Sequence, residues 1–216
     1  MTDRDTSRRE FLTAAAAAGA FTLTAPALSY ASPSGESDTM NDLTISLIQT
    51  HSVQKDIAAN IREIIDRAEI AGTEGANLIV AGELALSGFL LSRGDYLGVA
   101  QTVPGPATEE LGAAARKANA WIIAGLPEKD GDKLYNTLAV MGPDGSLVSR
   151  YRKVHLWLTE NDTFDKGNEM GILDTDFGKV GLTICYDIMF PEYIRAIAAQ
   201  GPGVSVHRAE ERRVGK

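Results

Sequence analysis

The only cysteine of the chain, Cys185, closes the apolar run 180–184 and precedes Tyr186-Asp187 and Phe190-Pro191-Glu192. That pattern predicts a strand, a sharp turn carrying the thiol, and a helix opening near Pro191, since proline suits a first helical turn. A thiol so placed stands at the carboxyl end of a strand, where open α/β sheets concentrate their chemistry. The alternative is a structural thiol, because free cysteine is among the most buried residue types. Two further side chains share the strand-end context: Glu83 ends Leu-Ile-Val-Ala-Gly-Glu, and Lys153 ends Val-Ser-Arg-Tyr-Arg-Lys. Strands of one sheet would bring such ends together. A carboxylate within reach of a thiol can take its proton as the sulfur attacks. An ammonium beside both stabilises the thiolate and then the oxyanion of a tetrahedral intermediate. The backbone N–H of Tyr186, just after the thiol, is a candidate second oxyanion donor. Alone, a glutamate or lysine at a strand end is a solvated edge charge; together the three supply a nucleophile, a base and a cation.

The elements that must position them read as an α/β chain. Residues 43–49 form an apolar strand of the buried kind. Val53, Ile57, Ile61, Ile64, Ala68 and Ala71 recur at helical spacing, and Gly72 and Gly75 end that helix. Residues 77–81 form a second strand, so a parallel β-α-β unit is expected. A helix over 107–119 leads to a strand over 121–126. Strands 134–141 and 147–151 flank the turn Pro143-Asp144-Gly145 as an antiparallel hairpin. Residues 153–170 read as a polar, aromatic-bearing loop, followed by strands 172–174 and 180–184. A helix over 193–200 is broken by Gly201-Pro202-Gly203. Residues 204–216 carry Arg208, Arg212, Arg213 and Lys216 with hardly any core-forming residues, and are expected to be an atypical tail.

Three segments, Ala-Gly-Glu83-Leu-Ala-Leu-Ser-Gly-Phe89, Tyr-Arg-Lys153-Val-His-Leu and Ile-Cys185-Tyr-Asp-Ile-Met-Phe-Pro-Glu, occur in this order. In sequence and order they resemble the three signatures of the nitrilase superfamily of carbon–nitrogen hydrolases. The resemblance runs from about residue 43 to residue 200. It implies an α-β-β-α sandwich, paired into dimers or larger assemblies, and here expected to be incomplete at the C-terminus, as in a truncated or frameshifted chain. It implies Glu83 as general base, Lys153 as oxyanion stabiliser and Cys185 as nucleophile, forming a thioester acyl-enzyme from a small amide or carbamoyl compound. Glu160, followed by Phe164 and Gly167, fits the place of a second glutamate that many members carry to position the amine or the lysine. Cys-Tyr-Asp with Phe-Pro-Glu resembles the amidase-type branch more than true nitrilases, so amide hydrolysis is expected over nitrile hydrolysis. Tyr186, Asp187 and Phe89 are candidates to line the substrate pocket. His155 invites a papain-like Cys–His pair, but without the matching context it reads as loop packing.

The ends and the composition set the remaining expectations. Arg8-Arg9 before the alanine-rich stretch 11–27 resembles a twin-arginine signal, giving a signal peptide over 1–31, a polar linker over 32–42 and a periplasmic or extracellular setting. The stretch is too short and weakly apolar for stable membrane insertion. A net charge of −8 argues against nonspecific nucleic-acid binding. One cysteine and three scattered histidines, His51, His155 and His207, offer no zinc spacing. No glycine loop that would cradle a phosphate appears, so no cofactor is expected. The hydrolase domain is assigned to 43–200. Two other classes stay open: a non-catalytic fragment that keeps the triad, and an exported binding module that docks through the basic tail.

Overall fold

A computed structural model describes residues 43–209, so the signal and linker expected over 1–42 and the end of the expected tail, 210–216, lie outside the described residues. The first sheet has the order β1-β2-β3-β4-β5, from β1 (Ile45–Leu47), β2 (Leu78–Val80), β3 (Trp121–Asp130), β4 (Lys133–Met141) and β5 (Leu147–Arg152). β1, β2 and β3 pair in parallel, whereas β4 runs antiparallel to both β3 and β5. Two reversals therefore leave β5 pointing the same way as β2, with their carboxyl ends at one edge of the sheet.

The period of two along each strand sorts its side chains onto two buried faces. Ile79, Ile122, Ala124, Ala139 and Met141 pack toward helix α1 (Ile57–Thr73) and helix α3 (Pro106–Ala118). Their neighbours Leu78, Val80, Trp121, Ile123, Leu138 and Val140 form a second core with Leu173, Val180, Leu182, Ile184 and Val206 of the other sheet. Each long helix is delimited by its own sequence. Asp56 caps α1 by accepting from Ala59 N at 3.0 Å, and its inward stripe is Ile61, Ile64, Ala68 and Ala71. Pro106 opens α3, and Asn119 closes it in the left-handed region. The two lie so close that a Cβ at Gly72 would press on Ala118. A short helix, α2 (Arg93–Leu97), precedes α3.

The second sheet is β6 (Ile172–Thr175), β7 (Gly178–Ile184) and β8 (Val204–Arg208). Between β7 and β8 come a 3-10 helix (Cys185–Met189) and helix α5 (Pro191–Ala198), whose Ile197 packs on Gly181 of β7. Helices over one sheet, a second sheet against it, and α5 on the far side give the expected α-β-β-α layering.

Two expectations are corrected. β1 is an edge strand of three residues with Ile45 and Leu47 exposed, not a strand buried on both faces. The chain after residue 200 does not leave the fold at once: β8 pairs in parallel with β7, buries Val206 between the sheets, and sets His207 Nδ1 3.0 Å from Thr183 Oγ1. The ladder offered by the buried strand β7, with one apolar side chain on the inward face, outweighs the polar composition of that segment.

Candidate active site

Glu83 follows β2, Lys153 follows β5, and Cys185 follows β7, so three carboxyl ends meet at one corner of the sandwich. Each turn is shaped to let its side chain reach inward. Leu84, next to Glu83, has φ +48, and the Glu83 turn lies against β3 where only glycine fits: a Cβ at Gly125 would collide with the carbonyl oxygen of Gly82. Cys185 itself has φ +44, a conformation most side chains avoid. The loop after β5 carries α4 (Glu160–Thr163), which returns Glu160 to the same corner.

The structure brings all four expected polar groups together. Lys153 Nζ donates to Glu83 Oε1 at 2.8 Å and to Glu160 Oε2 at 2.7 Å, with all three side chains buried. Glu160 Oε2 also accepts from Trp157 N at 2.7 Å, which fixes the loop that carries it. Burial alone would depress the Lys153 pKa, but Glu83 and Glu160 outweigh it and hold the ammonium above its ordinary value. The Cys185 thiol moves the other way. Burial, seconded by the Glu83 charge and opposed by Lys153, pushes it up to about 11, and it hydrogen-bonds to Glu83. Burial and the Glu83 charge thus favour the thiol over the thiolate, against the opposing pull of Lys153.

Sequence reasoning missed Asn136. Its amide donates to Glu83 Oε1 at 2.8 Å and to Glu160 Oε1 at 3.0 Å, locking both carboxylates from the floor of the site. The signal was present, since Asn136 is a buried amide within the otherwise largely apolar strand β4. Gly125 was also missed; Gly167, which the sequence marks as following Glu160, donates its N–H to Lys153 O at 2.9 Å where a Cβ would strike Arg152 O.

Of the expected pocket residues, Phe89 and Tyr186 line a cavity of about 370 Å³ with Trp157, Ile188 and Met189 above Glu83, Lys153, Glu160 and Cys185. Asp187 does not line it and is corrected. It is fully buried and accepts from Tyr151 Oη at 2.6 Å, Ile184 N at 2.9 Å and His155 N at 2.9 Å, with His155 Nδ1 at 3.0 Å. Tyr193 Oη in turn donates to Tyr151 Oη at 3.0 Å. Asp187 thus ties the cysteine turn to β5 and to the loop after it. His155 belongs to that tie, stacked on Phe190 at 3.9 Å, rather than to a pair with Cys185. The Tyr186 N–H lies in the first turn of the 3-10 helix, whose leading N–H groups have no partner within it.

Comparison with known proteins identifies a family and several relatives. The family model described as carbon-nitrogen hydrolase matches residues 44–213. The omega-amidase NIT2 of Danio rerio is 33% identical over 172 residues, covering 75% of this chain and 61% of its own. A protein of Pyrococcus abyssi (strain GE5 / Orsay) named nitrilase is 41% identical over 143 residues, covering 64% of this chain and 54% of its own. The crystal structure of Saccharomyces cerevisiae Nit3, a member of branch 10 of the nitrilase superfamily, superposes with a TM-score of 0.72 at 28% identity. That match covers 80% of this chain and 66% of the yeast chain. The chain spans 54% to 61% of the lengths of these two curated relatives.

Proposed function

The chain belongs to the carbon–nitrogen hydrolase family, and from that premise we propose that it hydrolyses the carbon–nitrogen bond of small amides or carbamoyl compounds through a Cys185 thioester. The observation that carries the reading is one ammonium, Lys153, held between two buried carboxylates beside a thiol that hydrogen-bonds to one of them. Glu83 takes the thiol proton as Sγ bonds to the amide carbon, and the carbonyl electron pair moves onto oxygen. An ammonium has three donors, and the carboxylates occupy two, which leaves one for that oxygen. The Tyr186 N–H supplies the second donor. Glu83 returns the proton to the leaving nitrogen, the carbon–nitrogen bond breaks, and ammonia or an amine departs. Water, deprotonated by Glu83, then attacks the thioester, and the acid leaves with the thiol restored. Glu160 and Asn136 touch no reacting atom in this scheme and act by holding Lys153 and Glu83 in place.

A nitrile carbon could meet the same sulfur, and the Pyrococcus relative carries that name; Cys185-Tyr186-Asp187 favours the amide. Assembly into a homodimer or larger, and export directed by the paired arginines Arg8-Arg9, belong to the same proposal. Ammonia release from short amides by the full chain tests the chemistry. Cys185→Ala should abolish it, and Glu83→Gln, which keeps the shape and removes the base, should lower kcat by roughly 100-fold or more. Near-full activity in Glu83→Gln would overturn the assignment, and faster turnover of nitriles than amides would replace the substrate class.

A further inference from the structure

We infer that the substrate is an uncharged amide with an apolar acyl group, and that amides bearing a carboxylate are rejected; this rests on the hydrolase reading above. The walls of the 370 Å³ cavity are Phe89, Trp157, Tyr186, Ile188 and Met189. Three of them stand open to solvent at the mouth: Trp157 is 45% exposed, Ile188 49% and Met189 65%. Large apolar side chains at the lip of a polar tetrad lose water only when a ligand covers them, so they reward apolar surface on the substrate. The volume is at the small end of ligand sites, fitting a compact acyl chain or a single ring.

Charge points the same way. Among the described residues lining the cavity, the ionisable side chains other than the Cys185 thiol and the Tyr186 phenol are Glu83, Lys153 and Glu160. The lysine already faces both carboxylates. A substrate carboxylate would meet two like charges and an apolar wall, with its desolvation uncompensated. Arg67 and Arg208 line a second cavity of about 440 Å³ that meets the first at Glu83, and Arg208 donates to the carbonyls of Ala81 and Ile48, so neither guanidinium lines the apolar cavity itself.

The test uses the full chain with acetamide, propionamide, butyramide and hexanamide, and with succinamate, which matches butyramide in length but adds a carboxylate. The value of kcat/KM should climb by roughly fourfold per methylene until the cavity is full. Succinamate should fall at least about tenfold below butyramide. Met189→Lys, which places a cation at the mouth, should raise the ratio of succinamate to butyramide by about two- to fivefold, the size of a half-exposed ion pair. Melting shifts of Cys185→Ala with the same amides read binding without turnover. Hydrolysis with succinamate equal to or better than butyramide overturns this inference and leaves the hydrolase reading intact. No ammonia from any amide, with Cys185→Ala still stabilised by hexanamide and not by succinamate, overturns the hydrolase reading and leaves the pocket assignment standing. Neither turnover nor binding removes both.

Discussion

At Cys185 desolvation and charge compete over the protonation of the thiol. Burial and the Glu83 carboxylate raise the thiol pKa, and Lys153 lowers it by less. A raised pKa on a group that is neutral when protonated means the thiol persists through neutral pH and ionises only on approach to about 11. The wild-type minus Cys185→Ser difference in ultraviolet thiolate absorbance should therefore rise well above the range of about 8.5 for a free cysteine. Removing the Glu83 charge removes one of the causes, so the midpoint in Glu83→Gln should move down. A wild-type midpoint at or below that of free cysteine would mean the lysine wins, and the sulfur would be an ion-pair thiolate. Glu83, Lys153, Glu160 and Cys185 were legible in the sequence because each stands at a strand end or in a recognisable order. Asn136 was not, because an amide inside a strand announces itself only when its neighbours in space are known. The position of Asp187 beside Tyr186 suggests a pocket residue, because the sequence carries no sign of which way the turn sends each side chain.

Among the elements, the cysteine turn is held by one carboxylate as well as by the packing of His155 on Phe190. Asp187 accepts from the end of β7, from Tyr151 of β5 and from His155 in the following loop, so it fastens the two sheets where Lys153 and Cys185 must meet. Asp187→Asn keeps the volume but replaces an acceptor oxygen with a donor, leaving buried N–H groups short of partners. It should lower the free energy of unfolding by about 1–3 kcal/mol in a denaturant titration. It should lower kcat more than it raises KM, because the turn and not the pocket wall is disturbed. Tyr193→Phe, which removes the outer hydrogen bond to Tyr151 and the acceptor of Gly171 N, should cost about 1 kcal/mol; a larger loss there than in Asp187→Asn would show that the hub is elsewhere. Most elements were legible from periodicity: α1, α3, the β4–β5 hairpin and the strand before Cys185 lie within a few residues of their expected places. β8 escaped because five residues with two basic side chains look like a tail until a buried parallel neighbour supplies the ladder. The edge position of β1 escaped for a related reason, since an apolar run is silent about how many neighbours it has.

For the molecule as a whole, the sandwich is what allows four distant segments to share a corner. Two cores fix the sheets, one under α1 and α3 and one between the sheets. The parallel sense of β2 and β5 then brings Glu83 and Lys153 to one edge, and β7 delivers the thiol from the opposite sheet. That architecture followed from a resemblance carried by three motifs, and the β-α-β pattern alone would have left open whether one sheet or two were built. In the proposed function this corner forms a covalent bond with its substrate through sulfur. The direct measurement is the intact mass of the full chain, quenched in acid during turnover of hexanamide, with the modified peptide located by fragmentation. A gain of one acyl group in place of one hydrogen is expected, on the peptide bearing Cys185 and absent in Cys185→Ala. Ammonia released with no adduct on that peptide, or with the adduct on another side chain, would contradict it.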